Sequence, residues 1–282
     1  MLRFLAVLMF LAAPALVHAQ APDTLKKIRD AKTIAIAYRT DALPFSYAGQ
    51  DKQPAGYTVD LCKRVAASLE QQLKMSLQVK WVPATSQNRL DLVRNGKADM
   101  ECGSTTATLS RMETVDFSSP VFVDTTGLLA SKAAGAKSLA GLAGKKIAVV
   151  TGTTNQKALD GAIKKALIST TVVPVKNRDE GINALTSGSV DAFAGDKILL
   201  LGLAAKVKDP SKYELLEDDL GFEPYAIVLP HGDAMFRLAV NRALSQIYQS
   251  KAIEEVFKHA FGPDIAPTPG LLIMYALSSY PE

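Results

Sequence analysis

The chain has 282 residues, of which 48% are hydrophobic, and this length suits two domains that each bury an apolar core. Its formal net charge is +4, a mild basic balance that allows an anionic ligand without requiring one. The basic residues are scattered along the sequence rather than clustered, which argues against a nucleic-acid-binding protein.

The N-terminus has the pattern of a secretory signal peptide. Arg3 supplies a positive start, residues 5–17 form an apolar run, and Ala19 ends a small-residue cleavage site. A membrane anchor is the alternative, but the apolar run is shorter than the ~20 residues that span a bilayer. We therefore predict that residues 1–19 are a signal peptide cleaved near Ala19 and that the mature protein is periplasmic.

Short apolar runs alternate with amphipathic stretches in the next part of the chain, which predicts α/β units. The second predicted helix is closed by Asn95 and Gly96, a common helix-ending pair. In chain order, the predicted elements are a strand at 33–38, a helix at 59–73, a strand at 77–82, a helix at 87–94 and a strand at 98–102.

Two cysteines, Cys62 and Cys102, lie in this first block of elements. An even number of cysteines in an exported protein permits one disulfide. Two separate buried thiols remain the alternative, because the sequence does not reveal the distance between the two Cα atoms.

A second block repeats the same alternation, although no sequence repeat relates the two. Extended runs at 122–130 and 225–229 flank it, and a final helix is predicted at 234–257. Within the block we predict a strand at 146–150, a helix from 152 to about 167, a strand at 171–175, a helix at 179–187, a strand at 190–194 and a helix from about 197.

Two β-α-β-α-β blocks joined by two extended runs predict an α/β protein with two Rossmann-like lobes. We expect lobe 1 to comprise residues 20–124 and 229–282, and lobe 2 to comprise residues 125–228. The hinge strands would lie at about 122–130 and 222–229. In such open sheets, ligands bind beyond the carboxyl ends of the strands.

Polar residues collect at those predicted strand ends. Arginine pairs bidentately with carboxylates, a helix N-terminus attracts anions, and an ammonium group needs an acidic partner. Glutamate carries two carboxylates and one ammonium, so several arginines and one aspartate match it. The candidate ligand-binding residues are Arg39, Ser86, Arg89, Ser104, Thr106, Arg111, Thr153, Thr154, Arg178 and Asp196.

Each of these residues also has an ordinary structural interpretation. Arg89 could lie on a solvated helix face, Asp196 could be a helix N-cap, and Thr153 and Thr154 could simply start a helix. The pattern alone therefore predicts a two-lobed α/β protein with an anion site.

The same stretches resemble a known family. The most specific are 85–89 (TSQNR) and 101–106 (ECGSTT); the others are 44–47 (PFSY), 56–61 (GYTVDL), 95–96 (NG), Arg111, 117–120 (FSSP), 142–146 (LAGKK), 152–154 (GTT), Gly188, 191–193 (DAF) and Asp196. The chain is similar to the periplasmic amino-acid-binding proteins of ABC transporters, solute-binding protein family 3, and within them to the glutamate/aspartate-binding branch. The resemblance implies the type II periplasmic-binding-protein fold, with the ligand between the lobes.

The resemblance also implies a role for each candidate residue. Arg111, Thr106 and the 152–154 turn would hold the ligand α-carboxylate. Asp196 and Ser104 would hold the α-ammonium. The side-chain carboxylate would be bound by Arg39, Ser86 and Arg89.

Two features depart from the family pattern. Arg178 stands where the acidic-amino-acid branch has a histidine, which keeps a positive donor but leaves glutamate versus aspartate open. The segment after Pro263 also differs, and we expect its apolar residues 271–277 to pack on lobe 1.

The resemblance implies capture of glutamate or aspartate by cleft closure and delivery to the membrane permease of an ABC transporter. We expect a monomer that needs no cofactor or metal and is not an enzyme. Alternatives are a periplasmic enzyme similar to cyclohexadienyl dehydratase and a ligand-sensing module for another amino acid. The enzyme has little support, because His231 and His259 lie away from the predicted strand ends and no nucleophile-elbow or metal motif is present.

Overall fold

A computed structural model describes residues 22–250 and 252–281, so the predicted signal peptide lies outside the described residues. The N-terminal part contains α1 (Thr24–Ala31), β1 (Thr33–Arg39), β2 (Asp41–Ala42), β3 (Ser46–Ala48), β4 (Pro54–Ala55), α2 (Tyr57–Leu73), β5 (Gln78–Ala84), α3 (Arg89–Arg94), β6 (Met100–Cys102), α4 (Leu109–Met112) and β7 (Val115–Ser131).

The middle of the chain forms a second set of alternating strands and helices. It contains β8 (Lys146–Val150), α5 (Thr154–Ala166), β9 (Thr171–Val175), α6 (Arg178–Thr186), β10 (Ala192–Asp196), α7 (Lys197–Ala204), β11 (Tyr213–Leu215) and β12 (Gly221–Pro230). Three helices follow: α8 (Ala234–Gln249), α9 (Ala252–Phe261) and α10 (Pro269–Leu277).

Two parallel groups of strands are joined through an antiparallel centre. The strand order is β5-β1-β6-β12-β7-β10-β8-β9, with β11 added on β7 and a separate small sheet of β2, β3 and β4. Strands β5, β1 and β6 run parallel to one another, as do β9, β8 and β10, whereas β7 and β12 pair antiparallel between the groups. Both crossovers are therefore long strands that run from one group into the other.

Separate apolar cores lie on the two sides of these crossovers. On one side, Ile36, Leu61 and Phe236 belong to a large core that joins β1, α2 and α8. On the other side, Ile147 and Leu159 join β8 and α5. The two predicted α/β lobes are thus confirmed. We propose that the lobes meet between residues 124 and 125 and between residues 228 and 229, although β7 and β12 belong to both lobes.

The single helix predicted at 234–257 is wrong. Helix α8 ends at Gln249, and Ser250 has an extended backbone with φ −107° and ψ 167°. The Ser250 hydroxyl accepts a hydrogen bond from the Ala252 backbone N–H at 3.3 Å. A serine that binds the backbone in this way favours the start of a new helix, and α9 begins there.

The C-terminal segment packs on lobe 1, as predicted. Leu271 and Tyr275 of α10 are buried in the lobe 1 core, and the hydroxyls of Tyr275 and Tyr57 are 2.6 Å apart. Cys62 and Cys102 form a disulfide that joins α2 to β6, with Cα atoms 6.4 Å apart.

No helix within the described ranges is long and apolar enough to cross a bilayer.

Candidate functional site

The ten candidate residues come together where the two lobes face each other. Eight are buried and two, Arg111 and Thr154, are partly exposed. Contacts cross the cleft: the Gln87 side-chain amide of lobe 1 donates to the Lys176 carbonyl of lobe 2 at 3.0 Å. The two lobes are therefore in contact with each other around the candidate residues.

Arg39 ends β1 and points into the lobe 1 side of the site. Its Nη2 donates to the Ser86 hydroxyl at 2.8 Å and to Oδ1 of Asp41 at 2.6 Å. Its Nε is buried without a hydrogen-bond partner. The Nε–H of this guanidinium is thus left for an acceptor.

Arg89 is buried rather than on a solvated helix face, so the structural alternative for it is wrong. Its Nε donates to the Thr105 hydroxyl at 2.8 Å, and its Nη1 donates to the Ser86 carbonyl. Burial, followed by repulsion from Arg39 and Arg111, lowers the pKa of Arg89 to about 9. An added anion would relieve this repulsion.

Arg111 lies in the short helix α4 at the edge of the site. Its Nη1 donates to the Thr106 carbonyl at 2.6 Å, which fixes the direction of the guanidinium. Burial lowers the pKa of Arg111, and the carboxylates of Glu223, Glu101 and Asp196 partly oppose that effect.

The two candidate threonines in lobe 2, Thr153 and Thr154, have different roles. The Thr153 hydroxyl donates to the Val150 carbonyl at 2.7 Å and accepts from the Gln156 backbone N–H at 3.2 Å, so it caps α5. The Thr153 side chain therefore caps the start of a helix, which agrees with its ordinary structural interpretation. A ligand contact would use the Thr153 backbone N–H. Thr154 instead donates to Oε2 of Glu223 at 2.8 Å.

Asp196 occupies the N-cap position of α7, but its side chain makes no capping hydrogen bond. Its Oδ1 accepts from the Asn155 amide at 2.9 Å, and its Oδ2 lies 3.4 Å from Nη2 of Arg178. The N-cap interpretation of this carboxylate is therefore wrong, because it faces the site instead.

Arg178 is the first residue of α6 and bridges the lobes. Its Nη2 lies 3.4 Å from the Ser104 hydroxyl in lobe 1, and its Nη1 lies 3.6 Å from Oδ1 of Asp41. Nη1 is buried and makes no hydrogen bond. These long contacts show a guanidinium that is surrounded by acceptors but not saturated by them.

Three acidic residues of the site were missed by the sequence analysis: Asp41, Glu101 and Glu223. The signal for Glu101 was a carboxylate inside a predicted strand, between apolar residues. Glu223 lies just before the extended run predicted at 225–229, and Asp41 lies two residues after the predicted site residue Arg39.

Glu223 is 1% exposed and accepts several side-chain hydrogen bonds. Thr126 and Thr154 donate to it at 2.6 and 2.8 Å, and Thr106 also donates. Burial and the nearby charge of Asp196 raise the pKa of Glu223. This carboxylate organises the hydroxyls of both lobes at the Arg111 side of the site.

Glu101 lies under the arginines. Its carboxylate is fully buried, and burial raises its pKa against the opposing effects of Arg89, the Thr105 hydroxyl and Arg39. A Cβ at Gly103 would overlap Oε1 of Glu101 and approach Arg39 Cγ to 2.8 Å. Gly103 therefore allows the carboxylate to pack beneath the guanidiniums.

The site thus combines four guanidiniums with four carboxylates. It can pair with a carboxylate at several places and with an ammonium at Asp196. Within the described ranges, no group of histidine, cysteine, aspartate and glutamate side chains has an arrangement suited to a metal ion.

A family model described as bacterial extracellular solute-binding proteins, family 3, matches residues 34–263. The chain belongs to this family. The α/β architecture and this membership confirm the predicted type II periplasmic-binding-protein fold.

Two solute-binding relatives are similar to this chain over most of its length. The L-glutamate/L-aspartate-binding protein of Pseudomonas aeruginosa is 34% identical over 270 residues, covering 95% of this chain and 89% of the relative. The glutamate/aspartate import solute-binding protein of Escherichia coli K12 is 33% identical, covering 91% and 83%.

A solved structure shows the same fold. It is an ancestral amino acid-binding protein, a precursor of cyclohexadienyl dehydratase, with a TM-score of 0.72 and 25% identity. The match covers 85% of this chain and all of that one.

Proposed function

We propose that this solute-binding protein captures an acidic amino acid, glutamate or aspartate, in the periplasm and delivers it to the membrane permease of an ABC transporter. The observation that carries the proposal is the convergence of four buried or partly buried guanidiniums and the Asp196 carboxylate in one interlobe cleft. The names of the Pseudomonas and Escherichia relatives support the same ligand class.

The ligand main chain would be held at the Arg111 end of the site. Arg111, Thr106 and the backbone N–H groups at the start of α5 would bind the α-carboxylate, since a helix N-terminus favours an anion. Asp196 and Ser104 would accept from the α-ammonium. For that, the guanidinium of Arg178 must give up its long contacts with both groups, each of 3.4 Å.

The ligand side chain would point toward Arg39, Ser86 and Arg89. The unpaired Nε of Arg39 supports this direction, because it requires an acceptor. Closure of the lobes about β7 and β12 would then exclude water and strengthen each charge pair. The permease would recognise the closed form, and the protein would act as a monomer.

The test is a thermal-shift and calorimetry screen of the mature protein, stripped of bound ligand, against the twenty amino acids. A ligand that binds only the folded protein raises its melting temperature. Strong stabilisation by glutamate or aspartate supports the proposal. Stabilisation by basic or purely apolar amino acids, with no response to acidic ones, contradicts it.

An enzyme is the second candidate, because a precursor of cyclohexadienyl dehydratase shares the fold. We favour binding alone, since neither His231 nor His259 lies in the cleft: each is exposed and contacts an aspartate elsewhere, Asp116 and Asp60 respectively. Turnover of prephenate or arogenate by the purified protein would reverse this conclusion.

A further inference from the structure

Asp41 was not among the predicted ligand-binding residues, yet it lies between two of them. Its Oδ1 is 2.6 Å from Nη2 of Arg39 and 3.6 Å from Nη1 of Arg178. Its Oδ2 also lies 3.5 Å from the Arg178 backbone nitrogen. One carboxylate oxygen of lobe 1 therefore faces a guanidinium from each lobe.

The side chain of Asp41 is only 10% exposed, so water does not screen these contacts well. Burial opposes its charged form, but the two guanidiniums outweigh burial and lower the pKa of Asp41. Asp41 is thus an internal carboxylate, placed on the same guanidiniums that a ligand side-chain carboxylate would use.

At the side-chain end of the site, Asp41 already offsets part of the positive charge that a ligand carboxylate would meet. The main chain of an amino acid is a zwitterion, and it would use Arg111 for its carboxylate and Asp196 for its ammonium. Of the remaining acids, Asp41 is the one whose pKa Arg178 and Arg39 lower despite burial, whereas burial raises the pKa of Glu101 and of Glu223.

A further buried acid, Asp124, does not take the place of Asp41 at these guanidiniums. Asp124 is buried, but it accepts from the Ile198 backbone N–H at 3.1 Å and lies 3.4 Å from the Tyr225 hydroxyl, rather than pairing with an arginine of the site. A ligand carboxylate bound at Arg39 and Arg178 would lie beside the negative charge of Asp41 and be repelled by it, whereas an amide would not.

Hydrogen-bonding groups for an amide are also present. The unpaired Nε of Arg39 and Nη1 of Arg178 can donate to an amide oxygen as well as to a carboxylate. Asp41 and the Ser86 hydroxyl can accept from an amide NH₂ group, and a carboxylate ligand has no such donor.

We infer that Asp41 is a specificity-determining residue: by balancing Arg39 and Arg178 from within the protein, it lets the cleft accept glutamine or asparagine as well as the acidic amino acids. The inference rests on the proposed function, because it concerns the side-chain end of that same site.

The test compares glutamate and glutamine by calorimetry on the ligand-free wild-type protein and on Asp41→Asn. We expect the wild type to bind the two ligands with affinities within about tenfold of each other. In Asp41→Asn, the loss of one negative charge should shift the ratio toward glutamate by about tenfold or more.

Asp116→Asn is the matched control, since Asp116 lies 3.5 Å from Arg237 outside the cleft, and its glutamate-to-glutamine ratio should equal that of the wild type. Asp41→Ser, which keeps an acceptor, replaces Asp41→Asn if the latter does not fold. The ratio of glutamate to glutamine affinity in the wild type tests the inference by itself and needs no variant.

Two results would overturn the inference: no glutamine binding by the wild type at millimolar concentration, or an unchanged ratio when the charge of Asp41 is removed. Both are distinct from failure of the proposed function, in which the wild-type protein binds no acidic amino acid at all.

Discussion

At the scale of single residues, the site depends on charges that are buried before any ligand arrives. The four arginines repel one another, and Asp41, Glu101, Asp196 and Glu223 hold them together. Removing one partner from such a cluster costs about 3–5 kcal/mol, because a buried charge is left unpaired. Single substitutions in the site should therefore have large effects on binding.

Arg111→Ala should weaken glutamate binding by roughly a hundredfold or more, since each ~1.4 kcal/mol corresponds to tenfold in affinity. The reason is the loss of the partner proposed for the α-carboxylate. Calorimetry measures the change, with Arg64→Ala as the control, because Arg64 is exposed and pairs with Glu255 on the surface. Near-normal affinity of the Arg111 variant would remove this residue from the site.

Asp196→Asn should reduce the affinity for glutamate far more than that for glutarate, the dicarboxylate that lacks the amine. The asparagine keeps the size of the side chain but loses the charge that would pair with the ammonium. Competition binding of the two ligands measures the difference. If both affinities fall equally, Asp196 has a structural role instead.

The positions of the arginines were predictable, because the end of a strand in an open α/β sheet is a known place for ligand contacts. The partners of these arginines were not predictable in the same way. Glu223 comes from the second crossover strand, and only tertiary structure brings it to Arg111. Asp41 is two residues from Arg39 in sequence, but only tertiary structure brings it to Arg178 of the other lobe. Pairing of buried charges is a non-local property that a strand pattern does not encode.

At the scale of elements, the disulfide is a covalent constraint on lobe 1. It joins α2 to β6 directly beside Glu101, across 40 residues of sequence.

The predicted alternation placed most helices and strands correctly, because apolar periodicity reflects local burial. It missed the break at Ser250, where residues 249–251 (QSK) are polar and the serine hydroxyl accepts from the Ala252 backbone N–H.

Replacing both cysteines by alanine should lower the free energy of unfolding by about 3–4 kcal/mol, the value expected when a cross-link of this length no longer restricts the unfolded chain. Urea unfolding of the ligand-free proteins measures the loss. Dithiothreitol should destabilise the wild type and leave the double variant unchanged. Equal effects on both proteins would argue against a disulfide between these residues.

At the scale of the whole molecule, the two crossover strands hold acids close to the hinge. Asp124 of β7 is paired in register with Glu223 of β12. Burial and repulsion from Asp196 raise the pKa of Asp124 to about 7, from an ordinary value of 3.8. Between about pH 4 and pH 7, the folded protein therefore binds more protons than the unfolded chain at this position.

The free energy of unfolding should consequently fall as the pH rises through this window. Asp124→Asn, which does not titrate, should show a smaller fall between pH 4.5 and 7.5. Urea unfolding at several pH values measures the slope for the two ligand-free proteins, and the comparison cancels groups that titrate in both. Parallel profiles would show that Asp124 is ionised throughout.

The crossovers also determine the order in which the molecule can be assembled. The lobe 1 core contains Ile28 from the start of the described chain and Tyr275 from its end, whereas the lobe 2 cores draw their buried residues from 128 to 216. A chain that emerges from a ribosome or a translocation channel N-terminus first therefore completes lobe 2 while lobe 1 still lacks α8, α9 and α10. Lobe 1 can complete its core only after these three helices have emerged, which delays formation of the cleft.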